Sequence, residues 1–340
     1  MTTTSAPATA PIERPPAHPW WRRRPGARLS RTILWANLAG QIGIVLTGGI
    51  VRLTASGLGC STWPQCEPGH FTPVTHAATS WHPFIEFGNR TVTGLLGVLA
   101  LLTLWVVWPR RDRSRSYRLL GLVPILGVLT QAVVGGVIVL LDLHPGWVAT
   151  HFLISMALVA ASTALVVRDA EGDGPPTPVA GPGLRGLARA SVPLAVVVLG
   201  LGVVTTGSGP HSGDDEVGYR FALDPVTVSK VHAGAVWLFG LTVLALAVVA
   251  LRGRAAAPVR RAVVALVAVT ALQGAIGYVQ YFTGLPEALV AAHMLGAALL
   301  VVAEVRAVLA LRTRGPVPPT TAAGLAPTTP AAAPSSPERG

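Results

Sequence analysis

The chain has 340 residues, of which 51% are hydrophobic and only 12% charged, at a mean hydropathy of +0.55. So few charged groups cannot cover a soluble globule of this length, which leaves an integral membrane protein. The formal net charge of +11 does not point to nucleic acid, because the Lys and Arg side chains fall between apolar runs rather than on one folded face.

Residues 1–28 are rich in Pro, Ala, Thr and Ser and read as a disordered tail. Eight apolar runs follow, at 31–53, 84–108, 117–141, 147–167, 189–206, 226–251, 259–283 and 287–311, mostly near the length that crosses a hydrocarbon core. The first exceeds a secretory h-region and leads into Gly48–Gly49–Ile50–Val51–Arg52 rather than a small-residue cleavage site, so it reads as a retained span. The fifth is the shortest apolar stretch and is interrupted by Pro193. Residues 171–183 read as a flexible Gly/Pro linker and 316–340 as a second disordered tail.

Arginines mark every second loop: Arg22 to Arg31, then the cluster from Arg110 to Arg118, then Arg168, Arg185 and Arg189, then Arg252 to Arg261, and finally Arg306, Arg312 and Arg314. The loop 54–83 between the first two spans has no Lys or Arg, and 207–225 is acidic. The positive-inside rule therefore predicts both termini in the cytoplasm and the loop 54–83 outside, in a cell (plasma) membrane. That loop holds the only two cysteines, Cys60 and Cys66. In an oxidising compartment they can form a disulfide that closes a small loop as a structural staple.

The second half of the chain repeats the first. "QAVVGGVIVLLDLHPGWVATH" from Gln131 and "QGAIGYVQYFTGLPEALVAAH" from Gln273 share a Gln, a Gly four residues on and a His twenty residues after the Gln. "FGNRTVTGLLG" (87–97) lies over "KVHAGAVWLFG" (230–240), pairing Asn89 with His232. The expected fold is therefore all-α, with eight transmembrane helices as two tandem pseudo-symmetric four-helix bundles. The bundles run over 29–167 and 189–312, joined by a linker at 168–188 and followed by a tail at 313–340. An even number of spans per repeat gives both halves the same topology.

His151, His232 and His293 each lie four to seven residues inside an even-numbered span, at one common depth, and Asn89 fills the fourth equivalent position. Ionisable groups in the hydrocarbon layer are expensive and point to function. Two imidazoles at equal depth suit the two axial positions of a haem, so His232 and His293 are expected to ligate haem iron. The matching pair in the first half is Asn89 and His151, and asparagine is a poor iron ligand; one fixed cofactor and one exchangeable ligand are the expectation. In "IEFGNR", Glu86 and Arg90 stand one turn apart, as a carboxylate able to move protons and a guanidinium able to hold a haem propionate, or as a charge pair at the membrane interface.

These residues resemble the haem A synthase family. "TGGIVRLTASGLGCSTWPQC" (47–66) is close to its first-span and outer-loop signature, and "IEFGNR" resembles its glutamate motif on the second helix. The resemblance implies haem b on His232 and His293, haem O as substrate in the N-terminal half against His151, Asn89 and Arg90, Glu86 as the catalytic carboxylate, and, as the alternative to a structural staple, a redox-sensitive or product-handling role for Cys60 and Cys66. Many members carry His where Asn89 stands, so bis-His coordination of the substrate haem is not assumed here. The implied reaction oxidises the C8 methyl of haem O to a formyl group by successive hydroxylations, giving haem A for terminal oxidase assembly. A haem O synthase and the oxidase assembly apparatus are the implied partners, with an electron acceptor that no Rossmann, flavin or iron–sulfur motif identifies. Two other readings stand beside it: a non-enzymatic b-type cytochrome that transfers electrons, which calls for a second bis-His pair, and a repeat-built transporter, which calls for broken helices at the midplane.

Overall fold

A computed structural model describes residues 25–75 and 80–315. Of the expected disordered tails at 1–28 and 313–340, residues 1–24 and 316–340 lie outside the described residues. The rest is partly ordered, since Ala27 and Arg28 open the first helix and Thr313 and Arg314 lie in a short strand. Among those described, eight spans are long and apolar enough to cross a membrane: α1 (Ala27–Leu53), α2 (His82–Val107), α3 and α4 together (Arg115–Leu120 and Val123–Leu140), α5 (Pro145–Ala170), α6 (Pro182–Ser208), α7 (Pro225–Arg252), α8 (Ala257–Phe282) and α9 (Glu287–Ala310). The all-α membrane fold expected from composition is the fold observed.

Proline starts most of these helices. Pro83, Pro124, Pro145, Pro182, Pro225 and Pro258 occupy the first turn, where the missing N–H has no intrahelical partner to lose and the fixed φ already suits a helix. Three starts have side-chain caps: Ser114 accepts from the Tyr117 amide at 3.3 Å, His144 Nδ1 from the Gly146 amide at 3.3 Å, and Asp224 from the Thr227 amide at 2.8 Å.

Three details depart from the sequence reading. The third span, expected as one helix over 117–141, is interrupted at Gly121–Leu122, because the Pro124 ring is incompatible with a continuous bond to the Leu120 carbonyl four residues back. The fifth span runs unbroken through Pro193 from Pro182 to Ser208, so the apolar stretch underestimates the helix. The segment 171–183, expected as flexible, carries a strand: β1 (Pro176–Pro178) pairs antiparallel with β2 (Arg312–Arg314), Thr177 opposite Thr313.

Helices α1, α2, α4 and α5 pack around one another in sequence, as do α6, α7, α8 and α9. The two groups meet where α9 touches α1 and α5, and where α5 touches α6. Lipid tails are as apolar as leucine, so packing and interhelical polar bonds hold such helices together rather than water exclusion. Two such bonds are Asn37 Nδ2 to Ser162 Oγ at 3.0 Å (α1 to α5) and Ser191 Oγ to Glu304 Oε1 at 2.6 Å (α6 to α9). Large apolar side chains such as Leu101, Trp237 and Leu241 face outward, as lipid-facing residues do.

At the end of the molecule rich in arginine, an ion-pair network ties the α2–α3 turn to the end of α5 and to β2. Arg110 meets Asp169 at 2.5 Å, Arg113 pairs with Asp173, Arg168 meets Asp173 at 2.9 Å and Arg312 meets Glu171 at 3.2 Å. Burial pushes the Asp173 carboxyl up, but hydrogen bonds from Arg113, Ser114 and Arg168 outweigh it and hold its pKa down at about 2.

Candidate haem-binding cavity and cysteine loop

At the opposite end, the loop between α1 and α2 folds down over the start of α2. Cys60 and Cys66 form a disulfide and are both fully buried. The amide of Cys60 donates to Glu86 Oε2 at 2.6 Å. Arg90, one turn along α2, donates through Nη2 to Glu86 Oε1 at 2.5 Å, and also to the carbonyls of Thr62 (3.0 Å) and Gln65 (3.1 Å). The i,i+4 spacing of Glu86 and Arg90 thus builds a buried ion pair whose spare donors clamp the loop. Trp63, between the cysteines, lies so close to α4 that a Cβ at Gly136 would be 2.6 Å from its ring.

Beneath the loop lies a cavity of about 930 Å³, a size typical of cofactor and ligand sites. Its walls bring together every sequence-selected polar residue of the two halves: Glu86, Asn89, Arg90, His151, His232 and His293. The buried Nδ1 atoms of the three histidines have no hydrogen-bond partner within the described residues. The rings are therefore held with Nδ1 buried in the helix packing rather than open to the cavity.

The Gln–Gly–His repeat now has a mechanical reading. Gln131 Nε2 donates to the backbone carbonyl of His151 at 2.9 Å, and Gln273 Nε2 to that of His293 at 3.0 Å. Each glutamine fastens the helix bearing the histidine to the preceding helix. The glycine one turn later lies beside the ring, where a Cβ would make ordinary contact: 3.7 Å from His151 Cε1 at Gly135 and 3.4 Å from His293 Cε1 at Gly277. His232 is seated against Gly202 of α6, where a Cβ would stand 3.3 Å from its Cε1. Asn89 is fixed differently, accepting through Oδ1 from Thr47 Oγ1 at 2.8 Å.

These rings suit a metal that brings most of its own ligands, because among the described residues no three His, Cys, Asp or Glu side chains converge. A haem, which asks the protein only for axial groups, fits that donor set. His232 and His293 both line the cavity from the second half and are the residues that could hold such a group there. His151 stands alone with Asn89 in the first.

Sequence reasoning passed over one cavity residue, Arg52 at the end of α1. Its Nε donates to the His211 carbonyl at 2.7 Å and its Nη2 to the Thr206 carbonyl at 3.0 Å, both in the second half. The only sequence signal was its place within the quoted 47–66 stretch, since its partners lie more than 150 residues away.

The COX15-CtaA family model, described as a cytochrome oxidase assembly protein, matches residues 31–210. A heme A synthase of Lysinibacillus sphaericus is 33% identical over 141 residues, which cover 39% of this chain and 43% of that protein. One of Halalkalibacterium halodurans is 30% identical over 142 residues, 42% of this chain and 46% of that protein. One of Bacillus cereus is 32% identical over 127 residues, 36% and 40% of the two chains. The matched stretches thus span less than half the length of these relatives. The family match itself covers more than half of the 340 residues and contains the cysteine loop, the Glu86–Arg90 pair and His151, and on that ground the chain belongs to the COX15-CtaA family of cytochrome oxidase assembly proteins.

Proposed function

We propose that this chain is a haem A synthase, an oxidoreductase that converts the C8 methyl of haem O to a formyl group. The observation that carries the reading is the joining of Glu86, His151, His232 and His293 in one cavity under a disulfide-closed loop. Relatives named heme A synthase support it.

In this reading His232 and His293 hold a resident haem b, and the N-terminal half receives haem O against His151, Asn89 and Arg90. When bound, the haem supplies a conjugated ring that passes electrons away from its methyl substituent. Two hydroxylations, each removing two electrons, lead through an alcohol to a gem-diol, which loses water to give the formyl. The residues of the chain supply position and proton transfer. Glu86 is the proton acceptor, held at the cavity wall by the Cys60 amide and Arg90. His151, fixed through Gln131, orients the substrate. The loop closes the cysteine end and excludes water.

The two halves are read as a duplicated four-helix unit, supported by the matching Gln131–His151 and Gln273–His293 bonds. The arginine end is placed in the cytoplasm of a cell carrying the protein in its plasma membrane, with both termini inside and the cysteine loop outside. A haem b held by His232 and His293 would supply a route for electrons to an external acceptor, and a haem O synthase and the oxidase assembly apparatus are the expected partners.

The test is expression in a host membrane that supplies haem O, followed by chromatography of the extracted haems. Haem A in the wild type and its absence in Glu86→Gln support the enzyme. Tight haem b in both halves, with no alcohol or formyl product, would favour an electron-transfer cytochrome instead.

A further inference from the structure

Arg52 belongs to the first half by sequence and to the second by contact. On α6, the Thr206 carbonyl that it holds lies one turn beyond Gly202, against which the His232 ring is seated. On its own helix, Arg52 lies three residues beyond Gly49, where a Cβ would stand 3.1 Å from Met294, the neighbour of His293. Both helices therefore put the guanidinium about one turn, roughly 5–6 Å, from the His232–His293 level toward the cysteine end.

A guanidinium has five N–H donors, and the bonds to Thr206 and His211 use two. Asp214 and Asp215 line an adjoining polar cleft of about 160 Å³ with Arg52 and Arg220. Yet among the described residues no carboxylate lies within ion-pair distance of Arg52. Arg220 is spent on the carbonyls of Gly209, Pro210 and Tyr219, which shapes the loop presenting the His211 carbonyl. A cation lining a cavity with donors to spare and no counter-ion is arranged to receive an anion.

Resting on the haem reading of His232 and His293, we propose that Arg52 is the carboxylate clamp of the second-half site, reaching across from the first half to hold the acid side chains of the haem bound there. The same contact links that site to the cysteine loop. Gly57, five residues on, donates its amide to the Gly213 carbonyl at 2.7 Å, and His211 Nε2 contacts the Leu285 carbonyl at 3.0 Å in the loop that leads to α9. Arg52 is thus a binding residue for the resident haem, supplied by the half that handles substrate.

The test is titration of full-length apo-protein in detergent with haem b and with its dimethyl ester, followed by the bis-His spectrum that His293→Ala should abolish. Wild type is expected to prefer the free acid by about 10- to 100-fold, as charge-assisted hydrogen bonds would give. Arg52→Gln should remove that preference. Equal preference in wild type and Arg52→Gln, or none in wild type, would overturn the clamp. If Arg52→Gln does not fold, Arg52→Lys should narrow the preference, and an unchanged preference there would overturn the clamp equally. No bis-His spectrum in wild type with either ligand would instead overturn the site reading beneath it, and the clamp with it.

Discussion

The amide of Cys60 donates to Oε2 of Glu86 at 2.6 Å, which makes the disulfide loop and the buried carboxylate one structural unit. A carboxylate at the membrane boundary needs donors, and here a loop amide and one arginine supply them. The loop's cysteines therefore matter to Glu86 whether or not they exchange electrons.

Replacing both cysteines by serine should reduce haem A formation several-fold by loosening the loop over Glu86, without abolishing it. Closing so short a loop is worth about 2 kcal/mol. Thermal unfolding and product yield of Cys60→Ser/Cys66→Ser check this. Activity as low as in Glu86→Gln would instead assign the sulfurs a redox role.

Arg90→Ala should be more damaging than the double cysteine change. It leaves Glu86 with one donor, the Cys60 amide, and releases the Thr62 and Gln65 carbonyls. Removing one partner of a buried pair costs about 3–5 kcal/mol. Arg90→Lys keeps the charge but not the fork, so hydrogen exchange of residues 60–66 should rise while Glu86 stays paired.

Asn89 and Thr47 form a matched pair, as His232 and Gly202 do in the other half. Asn89→His alone meets the Thr47 side chain and should lower stability by about 1–2 kcal/mol. The double change Thr47→Gly/Asn89→His should accept the ring and add a second bis-His spectrum, slowing release from the first half. A single variant that already shows that spectrum would contradict the pairing.

The ion-pair network at the arginine end should respond to acid. Asp173 has its folded pKa depressed to about 2, so its contribution is full above the unfolded value near 4 and is lost as pH falls through about 2. Asp173→Asn should therefore cost about 1 kcal/mol at neutral pH, discounted for solvent and salt screening, and the difference should vanish toward pH 2. Denaturation of wild type and variant across that range measures it.

Much of this was legible in the sequence because it rests on local pattern. Apolar run length located all eight spans, and the Gln–Gly–His spacing is visible because glutamine, glycine and histidine cooperate across a single helical hairpin. What stayed hidden depends on contacts between distant residues. Nothing near Pro176 indicates that it will pair with Arg314, and nothing near Arg52 names the carbonyls of Thr206 and His211. The break at Gly121–Leu122 was readable from Pro124, but hydropathy alone averages over it.

The central claim is a division of labour between two haem sites, and the most direct measurement is the haem content of purified His151→Ala and His293→Ala beside wild type. His151→Ala should keep non-exchanging haem b and yield no haem A, whereas His293→Ala should lose the haem b spectrum. Loss of the same haem from both variants, or tight haem b retained in both, would contradict the account.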